Sequence, residues 1–550
     1  MDCRDFRRED GAEFTLGRAE GATRGRLSPG NEGKKDAHHS PRTRRLPHAR
    51  LTRARRIHRD VNVASVTATA LEDLCFTPAT DLVALIRSRA VSPVELVRAL
   101  FDRIERLQPA LNAYTVVYPA RALAQARQAE DDVIAGRALG PLHGVPFSVK
   151  DMVAVEGMRL TYGSYMFEHN VADHDAVAVQ RLKAAGGIAL GMTAMGEFGH
   201  KGLTDSPLWG ITRNPWKLDR TTGGSSGGAA AAVAAGIGPL AIGTDFAGSV
   251  RIPASCCGIV GLKGTLGAVP HDDAPEAFGS IMHLGPMART VSDAALMMSV
   301  MMGPHPSDPF SYAALGSEKV ARASANASVS GKRIAWLPKI GNASLDPDVA
   351  TATKAAVESL QTNGAEVEEI EVDLRLSADL IFALSPPIFY ALYGSGLSEF
   401  SDKLDPTCRA VIERGAGIAA HDYQAALMQR TELFRRVQRL FETYDFLVMP
   451  TLSAPALPVT HKAFDELTIG NVAAGSPRYS WYPYTHPFNL TGHPAISVPV
   501  GWSKEDLPIG LQVVGPWHAD DRVVAVAALL EQVRPWAGRR PAIAMTAREH

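Results

Sequence analysis

Three stretches of the chain carry side chains whose types and neighbourhoods suit acyl-group chemistry. In Gly144-Val-Pro-Phe-Ser-Val-Lys150-Asp151 a lysine closes an apolar run that reads as a strand. Desolvation at such a position disfavours the ammonium and lowers its pKa, which suits a general base. Thr221-Thr-Gly-Gly-Ser225-Ser226-Gly-Gly runs straight into an alanine-rich helix. Glycine permits positive φ and alanine permits close packing, so this loop brings backbone close to something. In the third stretch a buried strand from Leu240 ends in the small-residue turn Thr244-Asp245-Phe246-Ala247-Gly248-Ser249. Consecutive amides over 246–249 can point inward and form an oxyanion hole beside the Ser249 hydroxyl.

Other readings of the same residues compete with this one. As a phosphate cradle the Gly/Ser loop is weak, because no Gly-Lys-Ser/Thr follows and the spacing is not Gly-x-Gly-x-x-Gly. Gly223-Gly-Ser225-Ser-Gly227 matches the nucleophile elbow Gly-x-Ser-x-Gly literally, but an elbow needs a strand before it, and 216–222 is polar. An esterase built on Ser225 would also need a later Asp and His, for which His421, His461, His486, His493 and His518 are the formal candidates. Taken singly, a serine in a glycine-rich loop is usually turn chemistry and a lysine at a strand end usually snorkels to water. His143, His200, His283, His486 and His493 form no metal-ligand spacing, and Cys3, Cys75, Cys256, Cys257 and Cys408 form neither a disulfide framework nor a zinc site.

The elements that must position these residues read as alternating α and β. Ser92-Pro-Val-Glu95 is a capping box that opens an amphipathic helix running to about Leu107. Strands are expected over 113–118, 145–150, 188–193, 240–244, 333–337, 367–372, 446–449, 496–500 and 511–514, with helices such as 121–134 and 176–185 between them. That alternation predicts an α/β fold with a largely buried, mixed or parallel sheet. No internal repeat or linker interrupts 71–540, which is expected to be one large domain.

The 550 residues carry 57 Lys and Arg against 58 Asp and Glu, with 46 % hydrophobic and 21 % charged residues. This is ordinary globular composition, and its neutral balance gives no general attraction to nucleic acid or to an anionic membrane. No run of about 18 apolar residues stands out as a membrane span. Residues 1–60 differ, with a net charge of about +7 from 16 Lys and Arg against 9 Asp and Glu. Their poverty in apolar periodicity predicts that 1–70 is a disordered basic extension. The extension lacks the apolar core of a secretory signal and is too acidic at its start for a transit peptide, so a cytoplasmic location is expected.

Taken together, the chain resembles the amidase signature family of serine hydrolases. The matching pieces are Pro146-Phe-Ser-Val-Lys150-Asp, Gly223-Gly-Ser-Ser-Gly-Gly228, Gly243-Thr-Asp-Phe-Ala-Gly-Ser249-Val-Arg251 and Cys257-Gly-Ile-Val-Gly-Leu-Lys263. Gly285-Pro-Met-Ala-Arg289-Thr and Pro487-Phe-Asn-Leu-Thr-Gly-His-Pro494-Ala-Ile-Ser-Val-Pro499 also match. The resemblance implies a mixed sheet of about eleven strands wrapped by helices. It implies Ser249 as nucleophile, Ser225 on a cis peptide after Gly224 as proton relay, and Lys150 as base. The amides of Phe246, Ala247, Gly248 and Ser249 would hold the oxyanion, with Ser226, Asp245 and Arg251 supporting them. Neither metal nor cofactor is implied. Many members have Gly at the position of Ala247, a smaller residue at Phe246, and Asn at Ala194.

Substrate is harder to read. Glutamine-dependent members carry an acidic residue ahead of the Asn-Leu-x-Gly motif, whereas 480–488 here holds no carboxylate. Aromatic residues Tyr162, Phe382, Phe389, Tyr390, Tyr393, Trp481, Tyr482 and Tyr484 are candidates to wall an apolar or aryl pocket. The expectation is a stand-alone hydrolase of aryl or alkyl amides, with esters and carbamates as further substrates, working as a monomer or homodimer. The alternatives are the glutamine-hydrolysing subunit of an amidotransferase, or a non-hydrolytic subunit of a larger assembly.

Overall fold

In the computed structural model, residues 73–279, 281–311 and 316–545 are described, and the expected extension at 1–70 lies outside them. The strands in chain order are β1 (Tyr114–Val117), β2 (Pro146–Lys150), β3 (Ile188–Thr193), β4 (Asp205–Ser206), β5 (Gly210–Ile211), β6 (Leu240–Asp245), β7 (Val260–Lys263) and β8 (His283–Ala288). They continue with β9 (Arg333–Trp336), β10 (Glu366–Glu369), β11 (Phe446–Pro450), β12 (Leu467–Ile469), β13 (Val472–Gly475), β14 (Ala495–Trp502) and β15 (Pro508–Val514). Eleven of them form one sheet in the order β1-β3-β2-β6-β8-β7-β14-β15-β11-β9-β10. β3-β2-β6 and β10-β9-β11 run parallel, and antiparallel pairs join these two groups, so the sheet is mixed. The α/β class and the eleven strands match expectation.

Burial on both faces explains the unbroken apolar runs. Every residue of β2, β3, β6 and β15 is buried, as a central strand covered by helices requires. β7 and β8 had no expected counterpart: Val-Gly-Leu-Lys and His-Leu-Gly-Pro-Met-Ala are broken by Gly and Pro and carry little strand signal. The helix opened by Ser92 is capped as expected, with Ser92 Oγ accepting from Val94 N and Glu95 N at 3.1 and 3.3 Å. It runs through Pro109 to Leu111, four residues beyond the expected end, and stops where Asn112 turns left-handed at φ 50°.

One stretch corrects the membrane reading. Leu376–Lys403 is long and apolar enough to span a membrane by length and composition, with a mean hydropathy of 1.4. Its helix Leu376–Tyr393 contains Pro386 and Pro387 and packs Leu380, Ile381 and Leu384 with Ala426, Leu433 and Val437 of the helix Ala420–Leu440.

Candidate active site

The parallel pairing of β2 with β6 sets Phe147, Ser148 and Val149 opposite Leu240, Ala241 and Ile242, so Lys150 ends beside the last residues of β6. Lys150 is fully buried. Its Nζ lies 2.7 Å from Ser225 Oγ and 2.7 Å from Thr244 Oγ1. Burial pushes the Lys150 ammonium down to about 7 against the opposing attraction of Asp245, which leaves much of the amine neutral at neutral pH.

The Gly/Ser loop is held from several sides. Its Gly224–Ser225 peptide is cis. Thr204 Oγ1 donates to Gly223 O at 2.8 Å and accepts from Gly227 N at 3.0 Å. Ser226 Oγ donates to Thr244 O and accepts from Thr244 N, tying the loop to the end of β6. The following helix, Gly227–Ala234, is buried at every residue. A Cβ at Gly228 would lie 2.4 Å from Ala194 N and 2.5 Å from Ala113 O, so only glycine allows this approach. The contact with Ala194 uses its backbone, whose carbonyl accepts from Gly228 N at 3.0 Å.

The turn after β6 is organised by a buried ion pair. Asp245 and Arg251 are both fully buried and 2.9 Å apart. The Asp245 carboxylate accepts from Arg251 Nε and Nη2, from Asn489 Nδ2, and from the amides of Gly248 (2.7 Å) and Val250 (3.2 Å). Burial alone would raise this carboxyl. The Arg251 guanidinium, with Lys263 and Asn489, overrides that and holds it well below the usual carboxylate range. Arg251 is fixed in turn by Gln512 Oε1, Asn489 Oδ1 and Thr485 O. Such a fully hydrogen-bonded pair holds its loop in one geometry.

This arrangement corrects the expected oxyanion set. The Gly248 N–H is given to Asp245, so it is not free for a substrate oxygen. Among the described residues the amides of Phe246, Ala247 and Ser249 have no acceptor, and Thr485 Oγ1 fixes the turn by donating to Ala247 O at 2.7 Å. Ser249 O accepts from Ser226 N, joining the two serine loops.

Ser225, Thr244, Phe246, Ala247 and Ser249 line one cavity of about 310 Å³. Its wall carries Tyr162, Phe167, Phe198, Phe389, Tyr393 and Tyr482. Phe198 and Tyr393 stack at 3.7 Å, with Phe167 and Phe389 edge-on to Tyr393. Three expected pocket residues lie elsewhere. Tyr390, one position round the helix from Phe389, turns outward and is 43 % exposed. Trp481 is in the core with Nε1 donating to Ala454 O, and Tyr484 is in the core with its hydroxyl donating to Pro338 O. Their polar atoms find inward partners, which lets large rings be buried whole.

Of the histidines, His200 and His271 border the cavity, while His421, His461, His486, His493 and His518 do not. Burial pushes His486 and His493 down to about 3, so both are neutral. The partner of Ser225 is therefore a lysine, which removes the elbow-type esterase reading. No cluster of metal-ligating side chains occurs among the described residues. Thr204, Thr244, Thr485 and Gln512 were not expected. Only Thr244, adjoining Asp245 at a strand end, carried a signal that position alone could have revealed.

An amidase family model matches residues 95–524. An acylamidase from Rhodococcus erythropolis is 35 % identical over 475 residues, spanning 86 % of this chain and 98 % of its own. One subunit of a glutamyl-tRNA(Gln) amidotransferase from Acidothermus cellulolyticus is 37 % identical over 490 residues, spanning 84 % and 95 %. The crystal structure of a bacterial aryl acylamidase of the amidase signature family superposes with a TM-score of 0.78 at 30 % identity, covering 84 % of this chain and 99 % of that one. With this coverage and this site, the chain belongs to the amidase family and is a hydrolase of amide carbon–nitrogen bonds.

Proposed function

We propose that the protein hydrolyses aryl and alkyl amides through a Ser249–Ser225–Lys150 relay, and that esters and carbamates share the same path. The observation that carries this reading is the buried Lys150 amine, 2.7 Å from Ser225 Oγ and pushed down to about 7, beside the cavity that Ser249 lines.

Ser249 Oγ attacks the carbonyl carbon while its proton passes to Ser225 Oγ, and the Ser225 proton passes to the lone pair of neutral Lys150. The carbonyl oxygen becomes an oxyanion received by the amides of Phe246, Ala247 and Ser249, each preorganised donor contributing roughly 10²–10³-fold. Collapse of the tetrahedral adduct breaks the C–N bond, and the protonated lysine returns a proton through Ser225 to the departing amine. Water then adds to the acyl-enzyme by the same route in reverse, releasing the carboxylic acid. None of these steps asks for a metal or cofactor. The aromatic wall favours aryl groups, and the lack of a carboxylate in 480–488 gives the ammonium of glutamine no partner there.

The test is turnover of an aryl-anilide panel, a p-nitrophenyl carbamate and free glutamine by wild type and Ser249→Ala. Anilide turnover that disappears in the variant is expected. Glutamine turnover alone would transfer the protein to the amidotransferase reading, and activity surviving in Ser249→Ala would overturn the nucleophile.

A further inference from the structure

The cavity holds charges beyond those the acyl chemistry uses, and most are already satisfied. Lys201 Nζ lies 2.5 Å from Asp405 and 2.9 Å from Asp205, with its side chain only 4 % exposed. Asp273 pairs with His174 at 2.7 Å, and Glu276 accepts the amides of Phe278 and Gly279. His271, on the same wall, is pushed down by burial.

Arg478 is different. It lines the cavity from the segment just ahead of Tyr482. One N–H, on Nη2, donates to His200 O at 3.2 Å, and the guanidinium lies over the Phe382 ring at 4.6 Å. Among the described residues no carboxylate lies within ion-pair distance of it. A guanidinium presents five N–H donors in a rigid fork matched to a carboxylate. Here the aromatic face fixes the fork and a backbone carbonyl takes one donor, leaving the others for a ligand in a partly desolvated, largely apolar chamber. A charge-assisted, bidentate bond is strongest in such surroundings.

We infer that Arg478 determines specificity by taking a carboxylate carried on the substrate away from the scissile bond, so that the preferred substrates are amides with an anionic end. This rests on the functional reading above. An ammonium-bearing substrate would meet an unneutralised cation on the same wall and is disfavoured.

The experiment compares kcat/KM for N-phenylsuccinamate, with its carboxylate on the acyl half, and for N-butyryl-4-aminobenzoate, with its carboxylate on the amine half. Each is divided by the value for neutral butyranilide. Wild type is expected to favour at least one of the two acids by about ten-fold or more, mainly through KM, as one charge-assisted pair allows. Arg478→Gln keeps a donor for His200 O and is expected to lose that preference, while Arg478→Lys keeps part of it. Arg414→Met, whose guanidinium sits 5.6 Å from the same Phe382 ring but outside the cavity, is expected to keep it all.

A wild-type ratio near one, an unchanged ratio in Arg478→Gln, or an equal fall on all three substrates would overturn the inference. In each of those cases butyranilide turnover that is lost in Ser249→Ala leaves the functional reading standing. Turnover of none of the three substrates would overturn both.

Discussion

Two lysines, Lys150 at the end of β2 and Lys263 at the end of β7, are each completely buried, and the difference between them shows what makes one a candidate base. Burial lowers both amines, Lys150 to about 7 and Lys263 well below the usual lysine range, with Arg251 adding to the effect at Lys263. Their partners are unlike. Lys150 Nζ meets two hydroxyls, Ser225 Oγ and Thr244 Oγ1, and both hydroxyls border the cavity. Lys263 Nζ donates to the carbonyls of Gly264 and His493, and neither of those residues lines the cavity. A hydroxyl can accept one proton and pass on another, whereas a carbonyl can only accept a hydrogen bond. A lowered pKa is thus shared by a lysine that can exchange protons with substrate and one that can only pin two strands' ends.

The sharpest way to break this comparison is to remove each amine in turn. Lys150→Met is expected to lower kcat/KM for an anilide by roughly 10²–10⁴-fold, the range for losing a general base. Comparable loss from Lys263→Met would mean that burial alone, and not the hydroxyl partners, distinguishes the base.

Thr244 sharpens the comparison from the other side. Its Oγ1 accepts from Lys150 Nζ, which favours the ammonium and, in the neutral amine, occupies an N–H so that the one lone pair is left for the Ser225 hydroxyl. Thr244→Val is expected to lower kcat/KM by about ten-fold. A bond to a charged donor contributes roughly 1.5–3 kcal/mol, so its loss is expected to move the acid limb of the pH profile down by about one to two pH units. A limb that stays in place would show that Thr244 does not hold the amine.

For Lys263→Met the expected change is in stability. Two buried carbonyls lose their donor, at a cost of about 1–3 kcal/mol each if nothing replaces it, and chemical denaturation would read this as a lower midpoint. An unchanged midpoint would mean that the carbonyls find other donors.

The sequence made the chemistry easier to read than the chamber around it. Lys150, Ser225 and Ser249 sit in short motifs whose residue types suit acyl chemistry, and it was the family resemblance of those motifs that grouped them. Most strands were legible because burial on both faces leaves continuous apolar runs, and β7 and β8 were missed where Gly and Pro interrupt them. The cavity wall depends on which face of a helix or turn points inward. Phe389 and Tyr390 are neighbours in sequence and face opposite surroundings, a matter of helix phase that composition does not encode. Gly248 was misread for a similar reason: its type suits an inward amide, yet the Asp245 carboxylate three residues earlier claims that N–H. Thr485 and Gln512 reach the site from 234 and 261 residues beyond Arg251, a separation at which only the fold makes neighbours.

The smallest expected effect tests whether the pH dependence belongs to Lys150 at all. Reaction through the neutral amine requires kcat/KM to rise with pH up to about 7 and then level, because the form lost below that pH is the base. Asp151, the next residue, is also pushed up to about 7, by burial opposed by bonds from Thr161 and Gly163. Its carboxylate accepts from Thr161 N at 2.8 Å and from Thr161 Oγ1. Neither bond involves Lys150 or a serine of the relay, and an Asn oxygen can still accept from the Thr161 amide. Asp151→Asn removes the ionisation while keeping that contact, so the limb near pH 7 is expected to persist with kcat/KM changed by only a few-fold. A profile that becomes flat in this variant would assign the limb to Asp151, and Lys150 would then resemble Lys263 more closely than its hydroxyl partners suggest.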